Sequence, residues 1–181
     1  CSVSFDAGSR LIADVGRVGP DYQPGHAHAD TLSCELSLFG QRVLVNSGIS
    51  QYGEDAERNR QRSTAAHNTV EVDGENSSEV WAGFRVARRA YPLEVEYSET
   101  EDCIRLAAGH SGFRRLKGKV THNRTWEASH FQLKVTDRLD GQYERALGFW
   151  HLHPKIDVTL RGNSTVDLAL PSGQTAVLSI V

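Results

Sequence analysis

Apolar and polar residues alternate along much of this chain with a period of two. Leu32, Cys34, Leu36 and Leu38 are interleaved with Ser33, Glu35 and Ser37. Successive side chains of an extended backbone point to opposite faces, so this pattern predicts a strand with one buried face. Gly40-Gln41 then interrupts the run before Arg42-Val43-Leu44-Val45, which predicts a hairpin. Further strand-like runs fall at 69–72, 93–97, 104–107, 120–126, 131–135, 146–152, 156–160, 166–170 and 176–181, with Asp140-Gly141 marking a turn. Short strands separated by Gly, Asn and Asp predict an all-β fold, a large antiparallel β-sandwich occupying residues 1–181 as one domain. Only 55–62 has helical character. A long stretch without a strand signal, 47–66, has the length at which a loop in a compact domain usually carries function.

Composition narrows the picture. The chain has 181 residues, enough for a real core, with 39% hydrophobic and 24% charged residues. No apolar run approaches the ~18 residues of a transmembrane helix. The net charge is -3, which argues against a nucleic-acid binder that works by bulk charge. Sixteen arginines against four lysines leave local recognition of planar anions open. Three cysteines cannot all pair, and Cys34 in its alternating run is expected to be a buried free thiol. With no methionine and a start at Cys1, the chain is expected to be part of a longer protein.

The densest group of reactive side chains is Gly25-His26-Ala27-His28-Ala29-Asp30. In extended backbone His26, His28 and Asp30 share a face, where two imidazoles and a carboxylate suit a metal or acid–base chemistry. The plainer alternative is a solvated polar loop. His67, at the end of the long loop, reads alone as a hydrogen-bonded structural residue, but with His28 it can complete a metal site. His151 and His153 share a face beside Phe149-Trp150 and read equally well as a packed pair or a functional one. His110, His122 and His130 read as structural or surface residues. Arg58, Arg60 and Arg62, and likewise Arg85, Arg88 and Arg89, read first as solvated faces. If their loops converge on the histidines, they line a pocket for carboxylates or sulfates. Tyr52 lies in the same loop and reads either as packing or as a proton donor or acceptor beside a sugar.

Taken in order, Gly25-His26-Ala27-His28-Ala29-Asp30, Val43-Leu44-Val45-Asn46-Ser47-Gly48, Tyr52 and Arg62-Ser63-Thr64-Ala65-Ala66-His67-Asn68-Thr69-Val70 resemble the heparinase II/III-like polysaccharide lyases. The string from Ser77 to Ala90 resembles a branch of that family found beside exopolysaccharide and O-antigen synthesis genes. The resemblance implies the C-terminal β-sandwich domain of a lyase whose N-terminal α-helical toroid lies outside this chain. It implies β-elimination on a uronic-acid-containing anionic polysaccharide, with a periplasmic or cell-envelope location. It also implies that His26 handles the substrate, with Tyr52 a second candidate, that Arg85, Arg88 and Arg89 bind it, and that His28 and His67 hold a structural zinc ion. The third ligand position of the family, an Asp, is matched by Asn46. A neutral amide is a weaker ligand and leaves the site one negative charge short, to be supplied by water or Asp30. Without an ion, Asn46 is expected to hydrogen-bond a histidine. The isolated domain is expected to be inactive, because the family's base and acid mostly sit on the toroid. A non-catalytic carbohydrate-binding or scaffolding sandwich is the alternative that shares the fold.

Overall fold

The computed structural model describes residues 1–6 and 8–181. In chain order its strands are β1 (Ser2–Asp6), β2 (Ser9–Ala13), β3 (Cys34–Leu38), β4 (Gln41–Leu44), β5 (Val70–Val72), β6 (Glu79–Trp81), β7 (Arg85–Ala87), β8 (Pro92–Glu99), β9 (Ile104–His110), β10 (Thr121–Ala128), β11 (Leu133–Asp140), β12 (Ala146–Gly148), β13 (Asp157–Leu160), β14 (Thr165–Ala169) and β15 (Thr175–Ser179). One α-helix, α1 (Ala56–Arg62), lies in the long loop after β4, with Asp55 as N-cap accepting the Arg58 amide at 2.7 Å. No helix among the described residues is long and apolar enough to cross a membrane.

Two four-stranded antiparallel sheets dominate, ordered β1-β2-β3-β4 and β11-β10-β9-β8. The alternation along β2 and β10 is strict, every second residue being buried. Val3, Leu11, Ala13 and Cys34 from the first sheet pack on Leu106, Ala108 and Trp126 from the second, with Leu32 beside them. Two faces closing over one apolar layer make a sandwich, and Cys34 is the buried thiol expected. A smaller sheet, β13-β14-β15, closes a second cluster in which Ile156, Leu168 and Leu170 meet Val43 of β4. β5 pairs with β12, and β6 with β7.

The crossing from β2 to β3 positions the site. This long connection is pinned at its ends by backbone bonds from Asp14 N to Ser33 O and from Leu32 N to Asp14 O, both 2.9 Å. Leu32 takes φ of 63° to make that closure, and its side chain is fully buried in the sandwich core. The His-x-His segment is therefore not a strand. Residues 24–26 form a single 3₁₀ turn, and 27–30 continue irregularly.

Candidate metal centre

The sequence 62–70 is stitched to the β2–β3 connection and to β3 by its polar side chains. Arg62 donates from Nε to the Ala27 carbonyl at 3.0 Å, between the two histidines of that segment. Thr64 Oγ1 donates to Ala29 O at 2.9 Å, and Thr69 Oγ1 to Thr31 O at 3.2 Å. Asn68 Nδ2 reaches Cys34 O at 2.8 Å, while its oxygen accepts the His151 amide at 2.6 Å. These buried donors leave His67 one placement, fully buried and facing His28.

His28 Nδ1 and His67 Nε2 face each other at 3.2 Å, with ring centroids 5.1 Å apart. One carboxylate oxygen of Asp30 joins them, so that the three ligand atoms lie within 4.8 Å of one another. Burial, then the charges of Arg62 and Arg58, lower the pKa of His28 to about 4. Burial, then His28 and His151, lower that of His67 to about 3. Both imidazoles are thus neutral at neutral pH, the form that binds metal. Burial, then the charge of Asp14, raises Asp30 to about 7. A cation beside it would draw it back to the carboxylate.

The donor set fits a divalent ion of the zinc type. Two neutral imidazoles and a carboxylate are ligands of that ion, and nitrogens each about 2.0–2.1 Å from a tetrahedral centre stand about 3.3 Å apart. A possible metal site is therefore present at His28, Asp30 and His67.

The other expected site residues divide. His26 is exposed and meets the Tyr52 ring edge-on, centroids 5.9 Å apart. His26, His28, Asp30, Asp14 and Arg17 line one cavity of about 220 Å³, so the histidine segment does present its groups together, from a loop rather than a strand. Asn46 is turned to its own backbone, its Oδ1 accepting the Gly48 amide at 2.9 Å instead of a histidine proton. Arg88 is paired with Glu79 through Nε at 2.8 Å, and Arg89 with Asp21 at 2.6 Å. Arg85 is exposed and, among the described residues, makes no ion pair. His151 Nε2 bonds the Ala65 carbonyl at 3.0 Å and helps hold the His67 loop.

Two residues read as solvated have a different place. Arg58 and Arg62 are wholly buried. Arg58 donates to Gln51 O at 3.2 Å, to Gly25 O at 3.0 Å and to Gly83 O, joining the Tyr52 loop, the His26 turn and the β6–β7 hairpin. Arg62 adds Ala82 O at 2.9 Å and Arg85 O at 3.2 Å. Their acceptors are backbone carbonyls, which leave no mark in a sequence. The helical spacing of Arg58 and Arg62, one turn apart on α1, was the available signal.

The chain matches the model of the family described as "Heparinase II/III-like, C-terminal" over residues 3–180. A comparison with curated proteins finds no match. Among solved structures it is similar to the heparan sulfate lyase HepC from Pedobacter heparinus, at TM-score 0.73 and 17% identity, covering 93% of this chain and 25% of that one. It is also similar to the heparinase III BT4657 gene product, at TM-score 0.74 and 17% identity over 94% of this chain and 25% of that one. A further heparinase III structure gives TM-score 0.68 at 15% identity over 92% of this chain and 25% of that one. This chain thus spans about a quarter of each of those proteins. With the all-β sandwich, the histidine pair and a family match along nearly its whole length, the chain belongs to the heparinase II/III-like family, as the C-terminal domain.

Proposed function

We propose that this domain forms one wall of the active site of a polysaccharide lyase that cleaves a uronic-acid-containing anionic polysaccharide by β-elimination. The observation that carries the reading is His26, exposed at the mouth of a cavity, edge-on to Tyr52 and two residues from the metal cluster. In such a reaction a base removes the weakly acidic proton on C5, next to the carboxylate, and the glycosidic oxygen leaves from C4 with a proton from an acid. The developing negative charge needs a partner, and the barrier falls when that partner is already in place. His26 is accessible enough to offer a proton or a hydrogen bond to the substrate carboxylate, and Tyr52 is the second group within reach of the same sugar. The base and acid that complete the elimination lie on a helical domain outside this chain.

Zinc, held by His28, His67 and Asp30, would be structural here, neutralising Asp30 and tying the His67 loop to the His26–His28 segment. Arg85 would face the polysaccharide, and Arg88 and Arg89 would act from its margin, since both already hold carboxylates.

The test is the appearance of unsaturated product. Full-length protein mixed with heparan sulfate, hyaluronan, alginate and polygalacturonate is expected to raise ultraviolet absorbance with at least one, and His26→Ala to reduce that rate at least about a hundredfold. Binding without any product from the intact protein would point to a non-catalytic carbohydrate-binding module.

A further inference from the structure

The β6–β7 hairpin delivers an aromatic ring to the site. Phe84 follows the tight turn Ala82-Gly83, in which Ala82 adopts φ of 42°. Gly83 is closed against the Tyr52 loop: a Cβ there would stand 3.2 Å from Glu54 Cγ and 3.3 Å from the Gly53 carbonyl oxygen. The Phe84 ring comes within 3.4 Å of where a Cβ on Gly25 would be, directly before His26. The Arg58 guanidinium lies over both the Tyr52 ring, at 5.1 Å, and the Phe84 ring, at 4.8 Å. Arg58 is wholly buried, yet Tyr52 and Phe84 keep 62% and 48% of their surfaces open.

We propose that Tyr52 and Phe84, backed by Arg58, form a platform that takes one sugar ring of an acidic polysaccharide beside His26. Single exposed aromatics are ordinary on protein surfaces. These two differ because they come from loops distant in sequence, share one buried cation and flank the histidine that faces the cavity. Stacking on an aromatic face buries the apolar C–H side of a pyranose. Rings already held in place lose little freedom when they do so. The cation sets the preference among sugars. Arg58 spends its N–H groups on carbonyls and, among the described residues, has no carboxylate partner. Its buried charge is poorly screened, so a ring bearing a carboxylate or sulfate is favoured over a neutral one.

This inference rests on the polysaccharide reading above, and one set of titrations separates the two. Calorimetry of the full-length protein would use heparan sulfate, hyaluronan, alginate and polygalacturonate, with dextran as the uncharged polymer. The wild type is expected to bind at least one acidic polymer more tightly than dextran. Phe84→Ala and Phe84→Leu, the latter retaining apolar cover over Arg58, are expected to weaken that binding about tenfold. Phe84→Trp is expected to preserve it. Unchanged affinity in a folded Phe84→Leu protein would overturn the platform and leave the polysaccharide reading standing. Equal affinity for dextran would overturn the role of Arg58. No binding of any acidic polymer by the wild type would defeat both.

Discussion

His28 and His67 hold their facing nitrogens 3.2 Å apart, and burial keeps both uncharged far below neutral pH. The pair is therefore in the protonation state that accepts a cation, and chelator-stripped protein is expected to take up one zinc ion, as read by metal analysis. His67→Ala should abolish uptake. Asp30→Asn should weaken it by more than the about 10–100-fold that loss of an outer hydrogen-bond partner costs. Asn46→Ala should leave zinc affinity nearly unchanged, because its oxygen holds the Gly48 amide. The reverse outcome would make Asn46 the third ligand and Asp30 a bystander. A second prediction separates the arginines. Arg85→Ala is expected to raise KM and flatten its salt dependence, whereas Arg88→Ala should do neither, since Arg88 is held by Glu79. Equal effects of the two would remove that distinction. The histidine pair was legible because two linked motifs place those residue types at a family's spacing. The buried Arg58 and Arg62 were not, because the carbonyls they serve are the same in every sequence.

Behind the site, β9, β10 and β11 carry a polar chain that runs from the buried His110 to the exposed Asp137. The Gly112 amide donates to His110 Nδ1 at 3.1 Å, so His110 carries its proton on Nε2 and gives it to His122 Nδ1 at 3.2 Å. His122 Nε2 donates in turn to Asp137 at 2.6 Å. Arg124 grips both Asp137 oxygens at 2.7 and 2.8 Å and reaches Leu32 O at 2.9 Å and Asn68 O at 2.6 Å, one residue from His67. Asp137→Ala would leave this guanidinium only its two carbonyl acceptors, at a cost of about 1–3 kcal/mol in a denaturant melt. The same chain predicts acid sensitivity. Burial lowers His110 and His122 from their ordinary value, outweighing in His122 the pull of Asp137. Burial would raise Asp137, but the bonds from His122 and Arg124 hold it well below the usual carboxylate range. Below about pH 6.5 the unfolded histidines take up protons that the folded ones refuse, and below about pH 4 the unfolded carboxylate does likewise. Thermal midpoints should therefore fall from about pH 6.5 downward, because four histidines with lowered values outweigh Asp30, which takes up its proton in the fold and acts the other way. A flat profile between pH 7 and 5 would contradict this. The long central strands and α1 were legible from period-two runs and from a capped, charged octet. In β2 the alternation was masked because Ile12, though apolar, faces outward at 49% exposure between the buried Leu11 and Ala13. β6 and β7 escaped because neither carries a buried-and-exposed alternation, β6 running half-buried, half-buried, exposed and β7 exposed, half-buried, half-buried.

At the scale of the molecule, the proposed function would set a chain of net charge -3 against an acidic polymer. Long-range attraction is then weak, and capture depends on local charge: Arg85 at the surface, and Arg58 and Arg62 beneath His26 and His28. Binding and cleavage are separable on this view. The wall built here offers His26, Tyr52 and buried cations, which can hold a sugar ring and answer charge that develops on its carboxylate. In the proposed reaction the base that takes the C5 proton and the acid that serves the leaving oxygen would come from the helical domain. His28 and His67 are committed to each other or to a metal, and Asp30 is drawn into the same cluster. The 181-residue chain alone is therefore expected to fold and to bind acidic polysaccharide weakly, without releasing unsaturated product. The comparison is ultraviolet absorbance on the same polymer for this chain, its His26→Ala variant and the full-length protein. Turnover by the isolated chain above its His26→Ala variant would show that the base and acid are both within this sandwich, and would move the catalytic assignment from the helical domain to the loops around His26.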